Sequence, residues 1–415
     1  MNKQMTGINQ HFWANKKILI TGHTGFKGSW LALWLNMLGA EVAGYALEPL
    51  TPNDNFVLTG LDKKINHQIG DVRNYDLLQE FFHAVNPEIV FHLAAQPLVR
   101  ESYNAPKETY DINVGGTVNL LECCRKTESV KVIVNVTTDK CYENKEWVWG
   151  YRENDRLGGY DPYSSSKACS ELVTEGYRKS FFNPETHALH GKSLASARAG
   201  NVFGGGDWQA DRIVPDCIRA LEQNEPIIVR SPHAVRPWQH VLEPLSGYLL
   251  LAQKMAENPA QYAEAWNFGP EESSFLPVGS LVDRMVKTWG EGSWQDHSKP
   301  GALHEANLLK LDISKAKSQL GWSPLWNIDK AIAETVAWCQ QYPTGNMHDL
   351  CCSQIIDYMS DKSDKVEQTG NVVTTFSPIK DNSDQEFKAL GLASFFDTNE
   401  DNNVDWEEMF DVKCR

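Results

Sequence analysis

Ile18-Leu19-Ile20-Thr21-Gly22-His23-Thr24-Gly25-Phe26-Lys27-Gly28 decides the fold. The apolar run at its start reads as a buried strand, and Ser29 to Leu38 reads as a helix. Between them stand three regularly spaced glycines, the context that a dinucleotide fingerprint requires. The first glycine permits a tight turn, the second lets backbone approach a pyrophosphate, and the third lets helix and strand pack closely. The helix N-terminus then offers N–H groups to the phosphates. Gly22, His23, Thr24, Gly25, Phe26, Lys27 and Gly28 are therefore expected to hold a dinucleotide. A plain glycine-rich turn is the competing reading, and the flanking strand and helix weigh against it.

Outward from this stretch, apolar runs alternate with helical patterns. Glu41–Tyr45, Ile89–Leu93 and Lys131–Val136 read as strands, while 75–85 and 113–125 read as helices. Unbroken Val/Ile/Leu runs predict strands buried on both faces, hence a parallel sheet in a doubly wound α/β fold of Rossmann type. Residues 10–203 are expected to form mainly this dinucleotide-binding domain. Prolines punctuate the chain from 204, and 204–355 reads as mainly a smaller, mixed, substrate-binding subdomain. Polar composition marks 360–384 as a linker. In the dinucleotide domain, Asp71 and Val72 are placed to reach the adenine, and Leu93, Ala94 and Ala95 let backbone approach the cofactor; small residues kept for packing are the rival reading. An acid that binds the adenosine ribose is often found about 20 residues after the glycines. Ala46 stands there instead, with Glu48 two residues late. No Arg or Lys meets a 2′-phosphate, so NAD is favoured over NADP, with weakened binding.

A second constellation lies downstream: Thr138-Asp139-Lys140 after a strand, then Tyr163-Ser164-Ser165-Ser166-Lys167. Tyr163 and Lys167, four apart, share a helix face. An ammonium and a cationic nicotinamide nearby would favour the phenolate, which is otherwise rare near neutral pH. That suits Tyr163 to take a proton from a hydroxyl whose carbon loses hydride.

Bulk properties exclude other classes. The chain has 415 residues, 41% hydrophobic and 22% charged, and a net charge of −15. That charge argues against a general nucleic-acid or anionic-membrane binder. No apolar stretch has the length of a membrane span, and residues 1–13 lack the apolar core of a signal peptide. The nine cysteines include no Cys-x-x-Cys and suggest reduced thiols in a cytoplasmic protein.

Together these motifs resemble the extended short-chain dehydrogenases/reductases over about residues 10–355. The resemblance also rests on Leu93-Ala94-Ala95, Asn113-Val114-Gly115-Gly116-Thr117, Arg198-Ala199-Gly200-Asn201-Val202-Phe203-Gly204 and Arg236-Pro237-Trp238-Gln239-His240-Val241. Thr138-Asp139 looks like the nucleotide-sugar 4,6-dehydratases. Lys140, the Thr21–Gly28 start and the Gly204–Trp208 loop look like their branch acting on CDP-glucose. The resemblance implies an NAD-dependent hydro-lyase supplying deoxysugar for surface polysaccharide such as O-antigen, acting as a homodimer. Tyr163 and Lys167 would abstract the 4-hydroxyl proton, Thr138 would bind the same oxygen, and Asp139 would protonate the departing 6-hydroxyl. Lys140 stands where a glutamate base is usual, either as a neutral base or as an electrostatic stabiliser. Asn201, Arg212 and Arg236 would grip the nucleotide sugar's diphosphate. A 4-epimerase or reductase on the same fold is the near alternative, and a catalytically silent cofactor sensor the distant one.

The tail, 385–415, carries Asp397, Asn399, Asp401, Asn403, Asp405 and Glu408 at calcium-loop spacing. Asn402 replaces the turn glycine and no second hand follows, so an EF-hand-like calcium site and a plain acidic tail both stand.

Overall fold

The computed structural model describes residues 7–298 and 308–370, and for 361–370 the backbone alone. The calcium-loop residues Asp397 to Glu408 lie outside the described residues, as does the tail that carries them. Among the described residues no group of His, Cys, Asp and Glu is placed to hold a metal ion, and no helix is long and apolar enough to cross a membrane.

Six strands, β1 (Lys17–Thr21), β2 (Glu41–Ala46), β3 (Asn66–Ile69), β4 (Ile89–His92), β5 (Val132–Val136) and β6 (Ser193–Ala199), join Ala265–Phe268 in one parallel sheet. The order is Ala265–Phe268, β6, β5, β4, β1, β2, β3, and the register sets Ile18 against Ile89 and Lys17 against Glu41. This is the doubly wound arrangement, with its reversal between β1 and β4.

Side-chain alternation explains the unbroken apolar runs. Ile18 and Ile20 join a large core with Trp30, Trp34 and Leu245, while Leu19 points into a second core with Val90, Leu121 and Ile133. Successive residues on a strand face opposite sides, so a strand covered on both has no polar position to show.

The glycine helix starts at Phe26, three residues before the expected Ser29, because Gly25 already serves as its N-cap and Gly28 falls in the first turn. The polar stretch expected to be a linker also differs. The helix Met347–Gly370 continues ten residues past 360. Lys, Glu and Gln favour helix, and no proline interrupts the run, so polarity alone does not mark coil. The chain divides into units at Val366, and the first contains both the sheet and residues 204–366. The sheet takes Ala265–Phe268 from that later part, so the two functions expected of 10–203 and 204–355 share one layer. The described cysteines are free thiols, six of them buried.

Candidate active site

The glycine turn lies at the carboxyl end of β1, where the strand order reverses. Gly22 has φ +77°, and a side chain there would meet Ala94 N at 2.7 Å. A Cβ on Gly28 would lie 2.1 Å from Gly22 O. The helix Phe26–Met37 has no side-chain cap, so its first N–H groups remain available to an anion. Gly28→Ala should therefore cost about 1–3 kcal/mol of stability and at least about tenfold in NAD affinity, read by denaturation and cofactor titration. Wild-type NAD affinity in that variant would sink the reading.

A cleft of about 970 Å³ opens beside this turn. Its walls include Gly22, Thr24, Gly25, Phe26, Lys27, Gly28, Ala46, Asp71, Val72, Leu93, Ala94 and Ala95. Size, open helix terminus and close backbone approach fit a dinucleotide. Thr24 Oγ1 donates to Leu47 O at 2.8 Å and ties the turn to the end of β2. Asp71 is held by Arg73, Nη2 to Oδ2 2.6 Å, which keeps its carboxyl below the usual range. Ala46 lines the wall at the end of β2, in the place where the ribose-binding acid was expected and is absent.

His23 departs from the expected set. Its ring is fully buried, packs against Phe56 and His67, and does not line the cleft. Burial, then His67, drives its pKa down to about 3, so it is a neutral core histidine. The side chain turns under Gly44, whose missing Cβ makes the room. Lys27 lines the cleft as expected; burial followed by Arg212 pushes its pKa down to about 7.

The catalytic candidates do converge. Asp161 caps the helix Pro162–Ser180, accepting from Ser164 N at 2.9 Å and Ser164 Oγ at 2.6 Å. That fixes Tyr163 at the first turn and Lys167 one turn on. Thr138 ends the stretch after β5 and starts the turn Asp139–Cys141. Its hydroxyl bonds Tyr163 and lies 3.0 Å from Asp139 Oδ1. Lys140 Nζ sits 6.0 Å from the centre of the Tyr163 ring. Thr138, Asp139, Lys140, Tyr163 and Lys167 line the cleft together with Asn201, Arg212 and Arg236. Arg212 pairs with Asp207 at 2.9 Å, and Arg236 Nη1 donates to Val235 O at 3.0 Å.

Electrostatics separate the roles. Burial raises Asp139 above the ordinary carboxyl range, against the pull of Lys140, Thr138, Arg236 and Lys27, and its Oδ2 has no hydrogen-bond partner. The expected lowering of Tyr163 is not met by this chain's own groups. Burial pushes the phenol up to about 12, outweighing the Thr138 hydroxyl. Lys167 donates to Val136 O at 3.4 Å, and burial brings it down to about 8. Raising pH through that value removes its charge. The profile of kcat/KM, which reports the free enzyme, should therefore fall on the alkaline side near pH 8. A limb no lower than that of an ordinary lysine, about 10.4, would contradict this.

Sequence reasoning missed Glu171, the next turn after Lys167. It is buried and accepts from Arg198 Nη2 at 2.8 Å, Ser196 Oγ at 2.7 Å and Thr137 Oγ1. Arg198, read as structural, is the other half of this pair. The fixed spacing Lys167–Glu171 was the available signal. Asn113 was quoted only as part of a motif; its side chain takes Gln96 N at 2.9 Å and donates to Ser166 Oγ at 2.9 Å, stapling the Leu93–Gln96 wall to the catalytic helix.

Residues 19–335 match the model of the family described as GDP-mannose 4,6 dehydratase. The chain belongs to that family. A CDP-glucose 4,6-dehydratase of Salmonella typhimurium is 50% identical over 357 residues, 85% of this chain and 99% of that protein. Among solved structures, dTDP-glucose 4,6-dehydratase of Bacillus anthracis in complex with NAD superposes with TM-score 0.65 at 21% identity, over 78% of this chain and 96% of that one. DesIV, a dTDP-glucose 4,6-dehydratase of Streptomyces venezuelae with NAD and TYD bound, gives TM-score 0.65 at 23% identity, again over 78% and 96%. At such identities the two structures show the fold alone, the same Rossmann-type architecture as in this chain.

Proposed function

We propose that this protein is an NAD-dependent CDP-glucose 4,6-dehydratase, converting CDP-glucose to CDP-4-dehydro-6-deoxyglucose and water. The observation that carries the reaction class is Asp139: a buried carboxyl, raised by that burial and with one unpartnered oxygen, beside Thr138 and Tyr163 in the cleft. An epimerase needs no acid for a leaving hydroxyl. The similarity to the Salmonella enzyme supports the CDP-glucose substrate.

NAD, when bound, supplies the hydride acceptor and donor and a cationic ring that favours the Tyr163 phenolate. Tyr163 takes the proton of the sugar's 4-hydroxyl, while the Thr138 hydroxyl holds the same oxygen. The 4-ketone then acidifies the proton on C5. Lys140 serves that step, as neutral base or as fixed cation beside the enolate. Asp139 gives its proton to the 6-hydroxyl, which leaves as water. Gly22, Thr24, Gly25, Phe26, Gly28, Asp71, Val72 and Leu93–Ala95 would hold NAD, and Asn201, Arg212 and Arg236 the substrate's diphosphate. A cytoplasmic homodimer, paired through the helices at 113–125 and Pro162–Ser180 and feeding deoxysugar into surface polysaccharide, completes the proposal.

The test supplies NAD and a panel of nucleotide-glucoses and measures the 4-keto-6-deoxy product. CDP-glucose should react best. Product from another nucleotide alone would refute the substrate, and release of a 4-epimer would refute the reaction.

A further inference from the structure

Arg100, Asp211 and Arg230 meet in the cleft wall, apart from the residues given roles above. Arg100 belongs to the short helix Val99–Asn104, which follows β4. Arg230 directly follows the strand Ile227–Val229 in the later part of the chain. Asp211 stands just before the helix Ile213–Glu222. A single oxygen, Asp211 Oδ1, takes Arg230 Nη1 at 2.6 Å and Arg100 Nη1 at 3.4 Å. The backbone of Asp211 has φ +63°, a conformation that side chains rarely adopt. One carboxylate thus joins two guanidinium groups from segments far apart in the chain.

The arrangement leaves those groups under-used. Two guanidinium groups meet one carboxylate oxygen, while the nearby Arg219 and Asp216 pair with each other. Each guanidinium carries five N–H donors, yet both converge on the same oxygen, and Arg100 Nε is buried without a hydrogen-bond partner. A diphosphate offers more oxygens and more charge, and a guanidinium binds a phosphate with two parallel bonds. The three side chains are also about two-fifths exposed, at 40%, 40% and 38%. Ion pairs so exposed hold weakly, so a stronger anion displaces the carboxylate easily.

We propose that Arg100 and Arg230 form a further grip for the nucleoside diphosphate of the substrate, and that Asp211 competes for it as a built-in anion. The proposal rests on the nucleotide-sugar reading given above and adds two binding residues and a competitor to it. Asp211 sets a threshold: a ligand with a single weak anionic group does not displace it, whereas a diphosphate does.

The experiment titrates the full-length protein with CDP by calorimetry, alongside UDP, dTDP and GDP. Arg100→Gln and Arg230→Gln should each weaken CDP binding about tenfold, the loss of roughly one charge-assisted contact. Asp211→Asn should bind CDP about threefold tighter or better, because the competitor is gone. Arg230→Lys, which keeps the charge and loses the fork, should recover part of the affinity. Arginine variants that bind CDP like wild type, or an Asp211→Asn protein that binds no tighter, would show a mere strut and overturn the grip. Thermal midpoints of the variants, measured beside the titrations, separate a local loss from unfolding; if the glutamine variants unfold, the Asp211→Asn and Arg230→Lys results decide. Preference for another diphosphate over CDP would overturn the cytidine reading and leave the grip standing on that nucleotide. Wild-type protein that binds none of the four would overturn both.

Discussion

Asp139→Asn abolishes water loss while sparing oxidation at C4. The expected fall in 4-keto-6-deoxy product is about 10²–10⁴-fold, the usual contribution of a positioned general acid. Asn has the volume of Asp and keeps a partner for Thr138, but it has no acidic proton to give. Tyr163, Thr138 and Lys167 are untouched, so the sugar still reaches the 4-ketone. Acid-quenched reactions, analysed by mass, should then contain the 4-keto sugar that retains its 6-hydroxyl. The direction of the Asp139 pKa shift makes a second demand. Burial raises the carboxyl, so its proton persists to higher pH than on an ordinary carboxylate, and dehydration in the wild type should hold up accordingly before Lys167 loses its own. If the variant dehydrates at the wild-type rate, the proton comes from elsewhere and Asp139 is only a strand-end cap.

How much of this was legible in the sequence depended on range. The parallel sheet could be read because Ile18–Ile20, Ile89–Phe91 and Val132–Val134 carry no polar position, as expected of strands covered on both faces. The glycine turn could be read because its chemistry is local: Gly22 and Gly28 meet backbone within the same motif or at Ala94. Tyr163 and Lys167 share one helix, so four residues of spacing were enough. The side chain of His23 could not be read. Its place is set by Gly44, Phe56 and His67, which no local pattern joins to the glycine turn. The Tyr163 pKa went the other way from the local argument, since burial raises the phenol more than the Thr138 hydroxyl lowers it. Arg100 and Arg230 come from segments far apart in the chain, and only the folded cleft brings them to one carboxylate.

Glu171→Gln should cost about 3–5 kcal/mol of stability, the penalty for breaking a buried ion pair by removing one partner. The side chains of Arg198 and Glu171 are 4% and 2% exposed. Glutamine has nearly the same shape and keeps one accepting oxygen for Ser196 or Thr137, with its amide N–H groups facing the other hydroxyl, so packing is preserved and the loss is mainly electrostatic. Burial alone would raise Glu171; the charge of Arg198 and the bonds from Arg198, Thr137 and Ser196 hold it below the usual range. Without that charge the Arg198 guanidinium keeps Tyr142 Oη at 2.8 Å and Glu153 O at 2.9 Å but no counter-ion. Denaturant unfolding of Glu171→Gln, Arg198→Met and the double variant reads this directly: the double variant should lose less than the sum of the two. The same carboxylate supports the neighbouring ammonium through its charge, which raises the Lys167 pKa against burial. Its removal should move the alkaline fall of kcat/KM below the wild-type position near pH 8, since Lys167 then gives up its proton earlier. A stability loss with an unmoved pH limb would make Glu171 a strut for Thr137 and Ser196. A moved limb would make it a positioning residue for Lys167, acting through the helix face that the two share.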